Sequence, residues 1–175
     1  MGNQTLLEIE RKYLIKYPDT RLLSEIAGVH MSTIVQTYLD PETHPHARVR
    51  ARTENGHTVY THTVKTPVSA LTRIEDEREI SFAEYEALRA EADKASAPIY
   101  KTRYNLPFEG FVFEIDIYPF WDDVAVMEIE LPSEDKAFTV PDFIEVIREI
   151  TDDKAFSNRS LAKWQGGNLP APKLQ

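Results

Sequence analysis

The run Glu8-Ile9-Glu10-Arg11-Lys12-Tyr13-Leu14 decides how the chain is read, because it sets charged and apolar side chains at alternate positions. Side chains alternate faces along an extended strand, so Glu8, Glu10 and Lys12 share one side, while Leu7, Ile9 and Tyr13 share the other with Arg11. The same arrangement recurs along the chain. Arg48, Arg50 and Arg52 oppose Val49 and Ala51; Thr61, Thr63 and Lys65 align; and Arg73, Glu75, Glu77 and Glu79 oppose Ile74 and Ile80. Lys101 and Arg103 face away from Tyr100, Thr102 and Tyr104. Glu114 and Asp116 likewise oppose Phe113, Ile115 and Ile117, and Glu128 and Glu130 oppose Met127, Ile129 and Leu131.

Any one of these strands reads as the wet face of a half-buried antiparallel sheet. The set reads differently, because like charges cluster within a strand, whereas a surface built for solubility intersperses the signs. The alternative placement turns the charged faces into a barrel and the apolar faces outward under helices and loops. An eight-stranded barrel holds side chains and one small ligand. Charges enclosed there must neutralise one another, a metal or a ligand.

Strand patterns cover 6–16, 33–40, 47–53, 58–65, 73–81, 99–106, 111–118 and 124–131, with turn signals at 41–45, 107–110 and Asn55-Gly56. Helical spacing is read over 82–94, where Phe82, Tyr85, Leu88 and Ala92 form one side and Ser81 is placed as cap with Glu84. Further helices are read over 141–149 and 157–164, followed by a loose tail with Gly166-Gly167 and Pro170 to Pro172. The expectation is an α+β fold: an eight-stranded antiparallel β-barrel with flanking helices, forming one domain over 1–165 with a flexible tail over 166–175.

The chain has 175 residues, no cysteine, 20 Lys and Arg against 29 Asp and Glu, and a formal charge of −9. The missing thiols exclude disulfides, thiolate metal sites and thiol nucleophiles. The acidic balance argues against nucleic acid and anionic membranes as partners. No run approaches the roughly 20 apolar residues that span a bilayer, and Met1 to Thr5 carries no signal-like pattern, so a cytoplasmic protein is expected. Whether two copies pair as a homodimer is left open.

Carboxylates are the natural ligands of magnesium, and Glu8, Glu10, Glu128 and Glu130 supply two pairs of them. Lys12, Arg48, Arg50, Lys65, Lys101 and Arg103 supply donors suited to phosphate oxygens. Phosphoryl transfer rests on positioning and electrostatics, so no side-chain nucleophile is needed. His44, His46, His57 and His62 lack the spacing of a zinc site.

The order of Glu8-x-Glu10-x-Lys12, Arg48-x-Arg50, Lys65, Lys101-x-Arg103, Glu114-x-Asp116 and Glu128-x-Glu130 resembles the CYTH family, the triphosphate tunnel metalloenzymes, over roughly 5–163. The segment from Thr151-Asp152-Asp153 through Phe156-Ser157-Asn158 to Leu161-Ala162 is similar to bacterial members, in which it forms a C-terminal plug helix. The resemblance implies a charged tunnel, Mg2+ or Mn2+ held by Glu8, Glu10, Asp116, Glu128 and Glu130, and a small-molecule triphosphate held by the basic residues. It implies catalytic parts for Glu8, Glu10, Lys12 and Tyr38; Gln36-Thr37-Tyr38-Leu39 carries threonine where glycine is common. Lys163 joins the phosphate contacts on the same ground. Hydrolysis of inorganic triphosphate is the leading expectation. Cyclisation of ATP, as in the class IV adenylate cyclases of the family, and polyphosphate binding without turnover are the alternatives.

Overall fold

The computed structural model describes residues 4–69 and 72–175, with side chains described from Glu8 onward. The expected outward position of Leu7 therefore lies outside the described side chains. The elements are β1 (Gln4–Lys16), α1 (Thr20–Glu25), β2 (His30–Tyr38), β3 (Ala47–Glu54), β4 (His57–Pro67), β5 (Thr72–Ile80) and α2 (Phe82–Arg89). They continue with β6 (Ile99–Phe108), β7 (Phe111–Ile117), β8 (Val124–Glu130), β9 (Val146–Glu149), a 3-10 turn (Lys154–Phe156) and α3 (Asn158–Gln165).

The strands run in the order β5-β4-β3-β2-β6-β7-β8-β1, and β5 pairs with β1 to close an eight-stranded antiparallel barrel. Strand β1 makes the closure. One edge pairs with β8 over Glu10 to Lys16, while the other is divided between β5, over Gln4 to Ile9, and β9, over Tyr13 to Ile15. Two tight hairpins follow from local chemistry: Asn55-Gly56 and Glu109-Gly110 each place both residues at positive φ, the geometry a two-residue hairpin needs.

The alternation of the sequence becomes an inside and an outside. Tyr13, Ile15, Leu106, Phe113, Ile115, Met127 and Ile129 form a buried outer layer beneath Leu23 of α1 and Ile144. Leu39, Val49 and Ile80 meet Tyr85 of α2 in a second layer. A third cluster lies at one end of the inner face. There Leu14, Tyr38, Ile99, Tyr118 and Val126, which follow the inward parity of the charged residues, pack with Phe156, Leu161 and Ala162 of the 3-10 turn and α3. The interior is therefore charged over most of its length and apolar at the end where α3 is seated.

Two expectations are corrected, and one helix was not anticipated. The segment 141–149 is not a helix: a turn leads into β9, whose backbone occupies the part of the β1 edge beyond the reach of β5. The second helix stops at Arg89, because Ala92 forms a bridge with Leu39 and Asp93 turns the chain by accepting from the Ala95 amide and the Ser96 hydroxyl. On that helix Ser81 caps the Glu84 amide as expected, Tyr85 is buried, and Phe82 is 58% exposed. Helix α1 was not read from the sequence; it begins at Asp19, whose carboxylate accepts from the Arg21 and Leu22 amides.

The segment from Gly166 onward packs on the barrel. Asn168 donates to the Ala95 carbonyl, Arg148 donates to the Lys173 carbonyl, and Leu174 joins the α3 cluster. No helix among the described residues is long and apolar enough to cross a membrane. A Cβ added at Gly166 would meet the Ala95 carbonyl oxygen at 2.7 Å. Gly166→Ala should therefore lower stability by about 1–3 kcal/mol, measured by urea denaturation. An unchanged midpoint would show that α3 is not pressed against this loop.

Candidate active site

Each charged face delivers its side chains to the barrel interior, where a cavity of about 280 Å³ is lined by Glu8, Glu10, Lys12, Tyr38, Arg48, Arg50, Lys65, Lys101, Arg103, Glu128 and Glu130. Strand pairing sets the acidic wall directly, because Glu10 lies opposite Glu130 and Lys12 opposite Glu128 across β1 and β8. The basic wall comes from β3, with Arg48 opposite Thr63 and Arg50 opposite Thr61 of β4.

The interior charges form connected ion pairs. Lys12 Nζ lies 2.8 Å from Glu128 and 4.0 Å from Glu10; Lys65 Nζ donates to Glu8 at 2.8 Å and lies 3.0 Å from Glu75. Arg50 Nη2 donates to Glu77 at 3.1 Å, and the Thr63 hydroxyl donates to the same carboxylate at 2.7 Å. Asp116, fully buried, accepts from Lys101 Nζ at 2.6 Å and from Arg103 Nε at 2.6 Å and Nη2 at 2.7 Å. Arg103 also pairs with Glu114 and reaches Glu128 at 3.4 Å.

Protonation follows from these neighbours. Burial raises the Glu10 pKa to about 7, with Glu128 adding repulsion that Lys12 and Lys65 only partly offset. Glu8 and Glu130 are also raised, chiefly by burial. For Glu128 burial again acts upward, but Lys12 and Arg103 outweigh it and hold the carboxyl well below its ordinary value. Burial works against the charge of Lys12 too, yet Glu128 and Glu10 keep its ammonium protonated far above the usual range. Lys101 falls to about 8, from burial first and then from Arg103. Arg50 falls to about 10 for the same first reason, with Arg48 as its repelling neighbour.

Two expected site residues are not part of the cavity lining. Asp116 lies behind it, with both oxygens engaged by Lys101 and Arg103. Lys163 does not reach the interior; it sits near Asp93, one turn further along α3. Tyr38 is inside, and its hydroxyl accepts from Gln36 Nε2 at 2.9 Å. The reading from sequence missed Arg52, Arg73 and Glu75 as lining residues, although the alternation had put them on the right faces, and it missed His46, Ser157, Asn158 and Arg159. His46 reaches the cavity from a left-handed backbone position at φ 60° that strand periodicity cannot register.

The CYTH domain profile matches residues 6–161. The chain belongs to the CYTH family. Its relatives include an inorganic triphosphatase of Acetivibrio thermocellus, 33% identical over 89% of this chain and 93% of that protein. A second, from Nitrosomonas europaea, is 32% identical over 90% of this chain and 97% of that protein. A crystal structure of an inorganic triphosphatase superposes with a TM-score of 0.53 at 28% identity, covering 89% of this chain and 94% of the other. A protein of Pyrococcus horikoshii OT3 shares the fold, with a TM-score of 0.53 at 20% identity over 73% of this chain and 80% of that one.

Membership of this CYTH family implies a divalent metal, and the donor set fits one. Glu8, Glu10 and Glu130 outnumber Lys12 and Lys65, which also pair with Glu128 and Glu75, and a hard cation with oxygen ligands would relieve that excess. Among the described residues no three acidic or histidine side chains already converge as a coordination shell; the oxygens turn toward the two lysines.

An acid whose folded pKa is raised contributes stability below its unfolded value and loses it as pH climbs through the folded value. For Glu10 that window runs from 4.5 to about 7. In chelator, Glu10→Gln should melt above the parent at about pH 8 and close to it at about pH 5; identical melting at the higher pH would refute strain at this carboxyl. Asp116→Ala leaves the buried Lys101 without its ion-pair partner and removes one of those of Arg103, and should cost about 3–5 kcal/mol by chemical denaturation. A loss no larger than that of an ordinary surface substitution would remove Asp116 from the supporting network.

Proposed function

We propose that this CYTH protein is a divalent-metal-dependent triphosphatase whose substrate is inorganic triphosphate. The observation that carries the reading is the separation of charge inside one cavity. An acidic wall of Glu8, Glu10 and Glu130 faces arginines that the protein's own carboxylates leave partly unmatched. Arg48 is only 9% exposed and has no ion pair or hydrogen bond among the described residues. Burial works against its charge and neighbours that include Glu75 and Glu77 outweigh that, yet its Nε is buried without an acceptor, and a phosphate oxygen would supply one. The cavity is sized for a short phosphate chain and has little apolar lining to hold an organic group. Relatives named as inorganic triphosphatases support the same reading.

Glu8, Glu10, Glu128 and Glu130 would hold Mg2+ or Mn2+, which when bound neutralises phosphate charge and acidifies coordinated water. Arg48, Arg50, Lys65, Lys101 and Arg103 bind and orient the phosphate chain and bear the charge that develops as the phosphoanhydride breaks. Lys12, held protonated between Glu10 and Glu128, adds a fixed positive charge beside the acidic wall. Glu77 and Asp116 act from behind, fixing Arg50 and the Lys101–Arg103 pair in place.

The deciding experiment incubates the protein with tripolyphosphate, ATP and thiamine triphosphate, each with Mg2+ and with Mn2+, and assays orthophosphate and cyclic AMP. Orthophosphate should appear fastest from tripolyphosphate, and Arg50→Ala should raise the KM for that substrate by roughly 10- to 100-fold, the worth of a charge-assisted hydrogen bond. No orthophosphate from any substrate with either metal would end the hydrolase reading; cyclic AMP as the main product of ATP would replace it with cyclisation.

A further inference from the structure

The outer side of the barrel wall made by β7, β6, β2, β3 and β4 holds an uncharged patch. Strand register sets Ile117, Thr102, Thr33, Thr53 and Thr58 in one row across the five strands, and Tyr100, Val35, Ala51 and Tyr60 in a second row across four of them. On β3 and β6 these positions alternate with Arg50, Arg52, Lys101 and Arg103, which line the cavity, so the rows face outward. Met31 begins a third row on β2 and is 49% exposed; Tyr100 is 55% exposed, Thr33 is exposed and the other eight residues of the two rows are partly exposed. The ring of Tyr60 lies 5.4 Å from that of the exposed Phe82, so the patch continues onto α2.

The rest of the barrel exterior differs. Leu23 of α1, Ile144 and Phe138 pack over the apolar outer side of β1, β7 and β8, and the outer side of β5 carries Asp76 and Arg78. Charged residues make up 28% of the chain, so ten neighbouring outward positions without one depart from its composition.

Charge and area select the occupant. Two copies of a chain with a formal charge of −9 repel, except where their approach brings no charges together. Across a two-fold axis each central residue meets its own mate, so a charge there faces a like charge, whereas an uncharged surface is self-complementary. A partner recognised by its charge would need an opposite charge here, and the two rows offer none. Five strands about 4.8 Å apart and three rows about 6.8 Å apart give a patch of roughly 500 Å², the size of a transient contact and below the roughly 800 Å² per partner of a stable one. Tyrosine and methionine, both prominent on it, are enriched at interface centres.

We propose that this wall is the contact surface of a reversible homodimer, in which two copies pack sheet on sheet about a two-fold axis near Thr33 and Val35 of the central strand β2. The proposal concerns the outer side of the barrel and is independent of the triphosphatase reading.

Sedimentation velocity on the full chain between about 1 μM and about 1 mM should show the mass rising from 20.1 kDa toward twice that value. Thr33→Asp sets two carboxylates near the axis and should weaken the pair at least about tenfold, with an unchanged melting temperature. Added salt should strengthen the parent dimer, because it screens the mutual repulsion of two acidic chains. Since the chain has no cysteine, Thr33→Cys introduces a single thiol, and mild oxidation should join two copies much faster than it does for Lys136→Cys at an exposed site elsewhere. A monomer at every concentration, a dimer that Thr33→Asp leaves intact, or one that salt dissociates would overturn the proposal. Should Thr33→Asp melt early, the two cysteine variants decide, and equal rates of joining would overturn it.

Discussion

Charge enclosed in a closed sheet has to be compensated from within, and this requirement orders the whole interior. Asp116 joins Lys101 to Arg103, Arg103 joins Asp116 to Glu114 and Glu128, and Glu128 joins that group to Lys12. The chain of contacts crosses β6, β7, β8 and β1 in the order in which those strands are hydrogen-bonded. Backbone pairing and side-chain neutralisation therefore specify the same register. A slip of one residue would turn every one of these charges outward and drive apolar side chains into the interior.

Compensation is incomplete in two places, and they are of opposite sign. Around Glu8, Glu10 and Glu130 the acids exceed their lysines, and burial pushes their protons back on. Around Arg48 the shortfall is of acceptors: one buried guanidinium nitrogen on each of Arg48, Arg50 and Arg159 has no hydrogen-bond partner among the described residues. A cation at one place and a phosphate chain at the other would complete both sets at once. In the proposed function that imbalance would be the source of the site's affinity for a metal–phosphate pair.

Much of this was legible because strand geometry has a period of two and the charges obey it through seven strands. The eight barrel strands and nearly every inward charge follow from parity alone. What the sequence hid has physical causes. Strand β9 reads as helix because its pairing depends on a stretch of the β1 edge that only the barrel geometry leaves open. Arg159 escaped because a helix of eight residues directs its side chains by how it is seated, and the seat is tertiary. Yet a signal for that seat was present. The inward positions change from charged to apolar toward one end of several strands, from Lys12 to Leu14, Asp116 to Tyr118, Glu128 to Val126 and Lys101 to Ile99. Such a change marks where a barrel expects an apolar stopper.

Closure through β1 also constrains the order in which the molecule can assemble. Strand β1 is made first but finds β8 and β9 only when nearly the whole chain exists; the Arg11–Glu149 pair spans 138 residues of sequence. Contacts of such separation carry a large loop-closure entropy and slow the search for the native pairing. Until they form, the acidic and basic faces remain in water, where their charges are hydrated at no cost, and the sheet keeps two open edges. The act that shuts the barrel is thus also the act that desolvates its ions, which makes ring closure the steepest step on the way to the native state.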